Sequence, residues 1–247
     1  MSGLDRYSLI LHLFSEARPV WSVIEMAEAS GAPQSTAYRT VHELVCQGFL
    51  EPAADARYRL GAAFLEFDRL IRKTDPYLAA GTLLLNDVIA QARVPCLALL
   101  ARLYTDRVMC VADCANAGAP VSSYERGRPM PLTRGATSKV VLAHLPARRL
   151  AKVLETEAPL ADDMALKAEL RAIRKRGFCI SRSEIDKDRV GIGAPIVVPE
   201  AGIVGSLSLV AFVKDLDEAT ERRLVLLTVS SASLLAESLL TTPQPTS

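Results

Sequence analysis

The feature that most constrains this chain is a tight turn, Gly31-Ala32-Pro33, that separates two short segments with apolar residues at helical spacing. Before the turn, Val23 and Met26 fall on one helical face, and Ser22 stands where a hydroxyl caps a helix. Gly31 is free to adopt the left-handed conformation that ends this helix. After the turn, segment 34–47 repeats apolar residues at i, i+4, i+7 and i+8. The pattern predicts two short helices joined by a turn.

The neighbouring segments predict a small domain around these two helices. Upstream, apolar residues from Leu4 to Phe14 follow helical spacing. Downstream, residues 49–51 and 57–60 flank the loop 52–56, which is typical of a two-stranded wing with Arg57 and Arg59 on one side. Helix, helix, turn, helix and wing is the order of a winged helix-turn-helix domain, in which the third helix enters the DNA major groove.

The face of the third helix opposite its apolar positions is polar. It presents short hydroxyls, a tyrosine, an arginine and a histidine: Ser35, Thr36, Tyr38, Arg39 and His42. Small donors let a backbone approach DNA closely, and an arginine reaches phosphate or guanine. The alternative is a small helical bundle whose polar face is only solvated. The short turn and the wing arginines favour DNA binding over that alternative.

Charge argues in the opposite direction. The chain of 247 residues carries 29 Lys+Arg and 28 Asp+Glu, and residues 1–75 hold eight basic and ten acidic side chains, a net charge of −2. We therefore expect weak general affinity for nucleic acid. Any DNA contact has to be concentrated in a few residues, and occupancy requires the specific operator and two or more reading helices at once.

Several motifs in this region are similar to those of one family. They are Ala32-Pro33-Gln34-Ser35-Thr36-Ala37-Tyr38-Arg39-Thr40, His42-Glu43-Leu44, Gly48-Phe49-Leu50 and Tyr58-Arg59-Leu60-Gly61. Through them the chain resembles the IclR family of bacterial transcriptional regulators. The resemblance implies that the third helix reads an operator through Gln34, Ser35, Thr36, Tyr38 and Arg39. From the residue pattern we add His42, Arg57 and Arg59 to the expected contacts.

A mostly apolar helix is predicted from Ala62 to Lys73, directly after the small domain. It packs either against its own domain or against a second subunit. The family resemblance implies a linker helix that helps to form a homodimer or homotetramer. We expect a boundary near Asp75, because Pro76 disfavours helix at the preceding residue and can itself begin a new one.

The remainder of the chain mixes helices and strands, which predicts an α+β fold built on an antiparallel sheet. The predicted helices are 76–92, 136–145, 150–154, 164–176 and 217–240, and the predicted strands are 95–103, 107–114, 177–181, 192–198 and 203–213. Motifs within 127–143, 176–196 and 202–209 carry the same family resemblance. It implies a GAF-like sheet with flanking helices, whose pocket binds a small organic effector.

By motif position, the resemblance gives the pocket-lining candidates Pro131, Leu132, Gly135, Ala136, Ser181, Gly191 and Ser208. The amides of Gly135 and Ala136 lie at a helix start, where a carboxylate is favoured. Arg134 and Ser138 depart from the residues usual in the family. We hypothesise that Arg134 pairs with a ligand carboxylate, the alternative being an ordinary surface arginine. Ser181 and Gly191 stand where some relatives have an acid and a thiol, so a different effector is expected.

No catalytic or cofactor motif stands out in the sequence. Five scattered cysteines without a C-x-x-C pair and three dispersed histidines predict buried reduced thiols and no metal site. The alternating acids Glu184, Asp186 and Asp188 are interpreted as a solvated loop in preference to an acid–base pair. Glu184 also matches a position of the family motif, which implies a structural role for it at the loop. The N-terminus lacks a signal-peptide pattern, and Pro195 interrupts the apolar run Ile192–Val213. A soluble cytoplasmic protein without a membrane partner is therefore expected.

Together these features predict a winged helix-turn-helix domain at 1–61, a linker helix at 62–75, an effector-binding domain at 76–241 and a disordered tail at 242–247. The predicted function is that of a DNA-binding transcriptional regulator, without a cofactor, that responds to a small carboxylate or aromatic acid. One alternative is a metabolite sensor or small-molecule enzyme that does not bind DNA. Another is a protein-interaction module that uses the polar face of the third helix.

Overall fold

The computed structural model describes residues 3–157 and 163–241. Contacts between residues divide the chain into an N-terminal unit, Met1–Thr74, and a C-terminal unit, Asp75–Ser247. The predicted disordered tail, 242–247, lies outside the described residues. The finer limits of the linker helix and the effector-binding domain remain predictions.

The N-terminal unit is a helix-turn-helix domain, as the sequence predicts. Its elements are α1 (Gly3–Leu11), β1 (Trp21–Ser22), α2 (Val23–Ser30), α3 (Gln34–Cys46), β2 (Leu50–Ala53), β3 (Arg57–Leu60) and α4 (Ala63–Thr74). Ser22 accepts a hydrogen bond from the Glu25 amide, and the Glu25 side chain accepts one from the Ser22 amide, so α2 begins with a capping box. Gly31 ends α2 in the left-handed conformation, with φ of 65°.

The two predicted wing strands are present as β2 and β3, which pair in an antiparallel hairpin, and a short strand that the sequence did not predict, β1, pairs with β3. The strands lie in the order β1-β3-β2, with Trp21 opposite Tyr58 and Glu51 opposite Arg59. A two-residue strand is too short to show an alternating pattern, which is why the sequence did not reveal β1. Because β1 runs directly into α2, it ties the helix-turn-helix to the wing.

The core of the N-terminal unit excludes α4. It consists of buried residues from α1, α2, α3 and the wing: Ile10, Trp21, Val23, Met26, Ala27, Ala37, Val41, Leu44 and Leu50. No residue of α4 is buried, although its Phe64 and Phe67 rings lie 5.5 and 5.9 Å from the ring of Phe49. The helix leaves five large apolar side chains exposed, Phe64, Leu65, Phe67, Leu70 and Ile71.

The C-terminal unit combines helices with an antiparallel sheet, as predicted. Its elements are α5 (Pro76–Ala92), β4 (Cys96–Tyr104), β5 (Arg107–Ala115), β6 (Pro129–Met130), α6 (Ala136–Ala143), α7 (Ala147–Glu157), α8 (Asp163–Arg176), β7 (Cys179–Arg182), β8 (Arg189–Val198), β9 (Ile203–Phe212) and α9 (Glu218–Thr241). The six strands lie in the order β6-β5-β4-β9-β8-β7, and every neighbouring pair is antiparallel.

Helices cover both faces of this sheet. Along β4, Ala98 and Leu100 belong to the apolar cluster that includes α5 and α9, whereas Ala101 belongs to the cluster of α6, α7 and α8. Successive side chains of a strand point to opposite faces, so the two clusters lie on the two sides of the sheet. This arrangement buries all eight residues of α6 against the sheet.

Within the described residues, α9 is the one helix long and apolar enough to span a membrane by length and composition. Its residues Leu224, Thr228, Leu235 and Leu239 are buried on one side, in a helix that packs on β8 and α5. A helix that forms the core of a globular domain acquires the same composition.

Candidate functional site

The polar face of α3 is exposed and unpaired. Gln34, Ser35, Tyr38, Arg39 and His42 are exposed, and Thr36 is half-buried. Within the described part of the chain, the side chains of Gln34, Ser35, Tyr38 and Arg39 make no hydrogen bond or ion pair. His42 contacts one residue of its own helix, with Nε2 3.6 Å from Cys46 Sγ. The donors of this face are therefore free for a partner.

The opposite face of α3 is fixed by packing and by two hydrogen bonds. Ala37, Val41 and Leu44 are buried in the core. The Thr40 hydroxyl donates to the Thr36 carbonyl at 2.9 Å, and the Tyr7 hydroxyl of α1 donates to the Glu43 carboxylate. This hydrogen bond raises the pKa of Tyr7. The position of α3 within the N-terminal unit is thus set before any partner binds.

The wing arginines each lie beside a carboxylate. Arg59 Nε is 2.6 Å from Glu51 Oε1, its neighbour across the β2–β3 pair. Arg57 Nη2 is 4.0 Å from Glu25 Oε1, which Arg18 also contacts at 2.5 Å. Both wing arginines stay exposed, but the neighbouring carboxylates offset part of their charge. The wing is consequently a weaker positive surface than two arginines alone would make.

In the C-terminal unit, the backbone amides at the start of α6 are already hydrogen-bonded to side-chain oxygens. The Gly135 amide donates to Glu184 Oε2 at 2.9 Å, and the Ala136 amide donates to Ser181 Oγ at 3.0 Å. These are the two amides that the sequence predicted for an effector carboxylate. In this structure a carboxylate of the chain itself occupies one of them.

Glu184 also pairs with a buried lysine. The Lys139 ammonium, on a side chain only 8% exposed, lies 2.9 Å from Glu184 Oε1 and 3.0 Å from Glu169 Oε1. Burial by itself lowers the pKa of Lys139, but the hydrogen bonds to Glu184 and Glu169 outweigh it and raise that pKa overall. The charged lysine therefore holds Glu184 against the start of α6.

A small cavity lies beside this cluster. Its volume is about 20 Å³, which is room for about one water molecule. The lining residues come from α6, the strands β7, β8 and β9, and two loops: Ser122, Tyr124, Ala136, Thr137, Ser181, Ser183, Glu184, Ile185, Asp186, Arg189, Gly191 and Val210. The lining combines hydroxyl and carboxylate groups with apolar side chains, and the chain's own side chains leave little room inside it.

The family follows from comparison with known proteins. The C-terminal domain of the bacterial transcriptional regulator IclR matches residues 89–235, and the IclR helix-turn-helix domain matches residues 3–53. The first match alone covers more than half of the chain. The chain belongs to the IclR family. It is thus a member of a family of transcriptional regulators that join a helix-turn-helix domain to a C-terminal effector-binding domain.

Two curated members are similar to this IclR-family chain. The HTH-type transcriptional regulator KipR of Bacillus subtilis is 28% identical over 221 residues, which is 82% of this chain and 83% of KipR. The transcriptional repressor IclR of Escherichia coli is 23% identical over 204 residues, 74% of this chain and 70% of the repressor.

Two solved structures show the same fold. A putative IclR transcriptional regulator from a Silicibacter species has a TM-score of 0.85 at 21% identity, over 99% of this chain and 98% of that one. An IclR homologue from Microbacterium hydrocarbonoxydans, complexed with 4-hydroxybenzoate, has a TM-score of 0.80 at 22% identity, over 98% and 100% of the two chains.

The effector residues predicted from the IclR resemblance divide into two groups. Ala136, Ser181 and Gly191 line the cavity. The others do not: Pro131 and Arg134 are exposed, Leu132 is in the core, Gly135 contacts Glu184 through its amide, and Ser208 accepts a hydrogen bond from Thr137 at 3.1 Å. Arg134 donates to the Glu184 carbonyl instead of facing the cavity. Three of the eight candidates thus lie at the cavity, and their role in binding an effector stays a prediction.

The lining residues that the sequence did not single out include Tyr124, Ile185 and Arg189. The Tyr124 hydroxyl and Arg189 Nε are buried without a hydrogen-bond partner of ordinary geometry in the described structure. Burial raises the pKa of Tyr124 to about 12, although the nearby hydroxyls of Thr137 and Ser138 moderate the shift. A buried donor without a partner indicates a place where a ligand gains a hydrogen bond.

The cysteines agree only in part with the prediction of buried thiols. Cys96, Cys110 and Cys179 are buried, and burial raises their pKa values to about 11, 12 and 11. Cys46 is exposed instead, because it lies on the polar side of α3. Across residues 3–157 and 163–241, no three His, Cys, Asp or Glu side chains come together as a metal site.

Proposed function

We propose that this IclR-family regulator reads its operator with the polar face of α3, and that a small organic acid bound beside α6 changes its affinity for that operator. The proposal that α3 reads the operator rests on the outer side chains of this helix. Its outer side chains are exposed and unpaired on a helix that is fixed from behind. A surface of this kind binds DNA without first breaking contacts of its own.

The residues that we propose to contact bases and phosphates are the same DNA contacts that the sequence predicts. Gln34, Ser35, Thr36, Tyr38 and Arg39 lie on α3, where Arg39 reaches guanine or phosphate and the short side chains permit close approach. His42, Arg57 and Arg59 complete the set with weaker contributions, because a cysteine or a carboxylate lies beside each of them.

Two or more reading helices are needed, since the net charge of the N-terminal segment provides little general affinity for DNA. We propose that α4 supplies the contact between copies. It buries none of its residues and exposes an apolar face that begins at Phe64 and ends at Ile71. The assembly is a homodimer or homotetramer, and the role implies a cytoplasmic location.

The proposed effector is a small carboxylate or aromatic acid. The anion-binding groups at the start of α6 and the hydroxyls around the cavity support an acid. The Microbacterium homologue, with the same fold, binds 4-hydroxybenzoate. The acid changes operator affinity only because it binds unequally to two arrangements of the reading helices.

The experiment is fluorescence anisotropy with DNA fragments that flank the gene. We expect salt-sensitive, sequence-selective binding that Arg39→Ala abolishes and that 4-hydroxybenzoate or a related acid shifts. Arg174→Ala, which removes an exposed arginine from α8 in the C-terminal unit, is the matched control and should bind as the parent does. Equal binding by Arg39→Ala and the parent, or no selective binding at low salt, would overturn the proposal and favour a sensor that does not bind DNA.

A further inference from the structure

We propose that the loop Ser183–Asp188 is a lid whose Glu184 carboxylate and Ile185 side chain occupy the effector site. The effector is then an acid with an apolar body that displaces both of them. The inference rests on the proposed effector function and extends it, because it identifies the groups that the effector replaces and the chemistry that it must share with them.

The first part of the argument concerns the carboxylate. Glu184 accepts hydrogen bonds from the Gly135 amide at the start of α6 and from the buried Lys139 ammonium, both at 2.9 Å. A backbone amide at a helix N-terminus and a buried ammonium form a site that is selective for a carboxylate. The chain fills that site with its own side chain, so an effector carboxylate competes with Glu184 for the same donors.

The second part concerns the apolar side chain that follows. Ile185 packs against the buried cluster that contains Tyr124, Met130 and Val210. Its Cγ1 lies 2.9 Å from the point where a Cβ on Gly135 would stand, so a glycine is required at the start of α6 to admit it. Glu184 and Ile185 therefore present a carboxylate beside an apolar group, which are the two parts of a small apolar acid.

The third part concerns space. The cavity beside the loop measures about 20 Å³, whereas a cavity of about 150 Å³ is known to hold a benzene ring. No aromatic acid fits beneath the loop as it stands. Once Ile185 and Glu184 leave, the buried hydroxyl of Tyr124 and Nε of Arg189, which form no hydrogen bond of ordinary geometry within residues 3–157 and 163–241, become available to a polar substituent of the ligand.

The lid has a latch and two bent ends. Asp186 accepts three hydrogen bonds from the loop opposite, namely from Ser122 Oγ at 3.0 Å, from the Ser123 amide at 2.9 Å and from Ser123 Oγ at 2.6 Å. At its ends, Ser183 and Asp188 have φ values of 53° and 58°, a left-handed conformation that is unfavourable for residues other than glycine. The latch at Asp186 thus holds closed a loop whose ends are strained.

Competition between lid and ligand makes a specific prediction about affinity. The apparent dissociation constant equals the intrinsic constant divided by the fraction of molecules with the lid open. Substitutions that weaken the closed lid therefore tighten binding of the acid. Loss of an ordinary contact residue has the opposite effect, which separates the two roles.

The test is isothermal titration calorimetry with 4-hydroxybenzoate as the probe and neutral 4-hydroxybenzamide for comparison. We expect Asp186→Asn and Ile185→Ala to bind the acid about tenfold more tightly than the parent, which corresponds to about 1.4 kcal/mol. The amide should bind weakly to all variants. Glu200→Gln, which removes one exposed carboxylate from the turn after β8, is the matched control and should leave the affinity unchanged.

Hydrogen exchange of the loop gives an independent readout. Displacement of the lid predicts that residues 183–188 exchange faster when the acid is bound, whereas a loop that closes over a ligand exchanges more slowly. Asp186→Asn preserves the side-chain volume, so it remains informative if Ile185→Ala lowers the melting temperature.

The outcomes distinguish the two proposals. If the parent binds the acid but both lid variants bind it equally or more weakly, and the loop becomes protected, the lid inference is wrong and the effector function stands. If neither the parent nor the lid variants bind 4-hydroxybenzoate, although faster exchange in Asp186→Asn shows that the loop has opened, the proposed aromatic acid is wrong as well.

Discussion

The polar face of α3 and the start of α6 both bring several polar groups together at a helix. The groups on α3 are unpaired, whereas those at α6 are hydrogen-bonded within the chain. On α3, four outer side chains form no hydrogen bond or ion pair among the described residues. At α6, the amides of Gly135 and Ala136 and the ammonium of Lys139 are all paired with side chains from α8, from β7 and from the loop that precedes β8. The polar groups on α3 of the N-terminal unit are therefore free to bind a partner, whereas those at α6 already have partners within the C-terminal unit.

The difference has consequences for what each region contributes. An unpaired surface adds nothing to the stability of its unit, so its side chains are free to serve a partner. A satisfied cluster stabilises its unit, and a ligand has to replace those contacts at comparable strength. Substitutions on α3 should therefore change affinity without changing stability, and substitutions around α6 should change stability as well.

The largest expected effect is at Glu184. Glu184→Gln removes the negative charge that pairs with the buried Lys139 ammonium, and it weakens the hydrogen-bond acceptor of the Gly135 amide. Glu169 remains as the second ion-pair partner of Lys139. We expect the C-terminal unit to lose about 2–3 kcal/mol of unfolding free energy. Urea unfolding followed by circular dichroism measures the loss. The fluorescence of Trp21, the single tryptophan and part of the N-terminal unit, is the internal control and should show an unchanged midpoint.

The second effect is on DNA affinity alone. Tyr38 is 53% exposed and its side chain forms no hydrogen bond within the described residues, so Tyr38→Ala should lower operator affinity by about 1.5 kcal/mol, or roughly tenfold. The stability of the N-terminal unit should change by less than about 0.5 kcal/mol. Tyr104→Ala, at a tyrosine 62% exposed in the C-terminal unit, is the matched control. A large loss of stability in Tyr38→Ala would contradict the expectation that substitutions on α3 change affinity without changing stability.

The two regions also differ in how far their contacts can be predicted from the sequence. Ser22, Gly31 and the apolar side of α3 act through residues a few positions away, so their spacing predicts the helix-turn-helix directly. Likewise Pro76 opens α5, which begins and ends at the predicted residues, and Asp75 caps it.

The contacts at α6 join residues that are far apart in sequence. Glu184 reaches Gly135 across 49 positions, and Asp186 reaches Ser123 across 63. No local pattern reports such pairs, so the alternating acids were interpreted as a solvated loop. Glu184 has the structural role that its motif position predicts, and Asp186, which was expected to be solvated, also holds the loop against the domain. The family resemblance predicts an effector site in this region, and only the structure shows that Glu184 occupies the Gly135 amide there.

A smaller effect on stability is expected at the cap of α2. Ser22→Ala removes the hydroxyl that accepts from the Glu25 amide, which should cost the N-terminal unit about 1 kcal/mol. Trp21 fluorescence during urea unfolding reports this unit directly. Ser30→Ala, at the other end of the same helix, is the matched control and should cost less than half as much. Equal losses would mean that the reading unit depends on general helix content instead of on this cap.

The smallest effect concerns pH and the latch. Burial alone raises the pKa of Asp186, but the hydrogen bonds from Ser123 and Ser122, together with the nearby Arg189, lower it overall. A carboxyl group with a lowered pKa in the folded state stabilises that state above its unfolded pKa, and the stabilisation disappears as pH falls through the folded value. The difference in unfolding free energy between the parent and Asp186→Asn should therefore be present at neutral pH and vanish on acidification.

The measurement is urea unfolding of both proteins by circular dichroism from neutral pH down to about pH 3, a range that passes below the ordinary pKa of an aspartate. Arg39→Ala, on the unpaired face of α3, should follow the parent throughout this range, because the contacts at Asp186 are unchanged in it. A difference between the parent and Asp186→Asn that stays constant with pH would show that the Asp186 charge does not hold the latch. The closed state would then depend on Ile185 packing and on the Glu184 pair with Lys139.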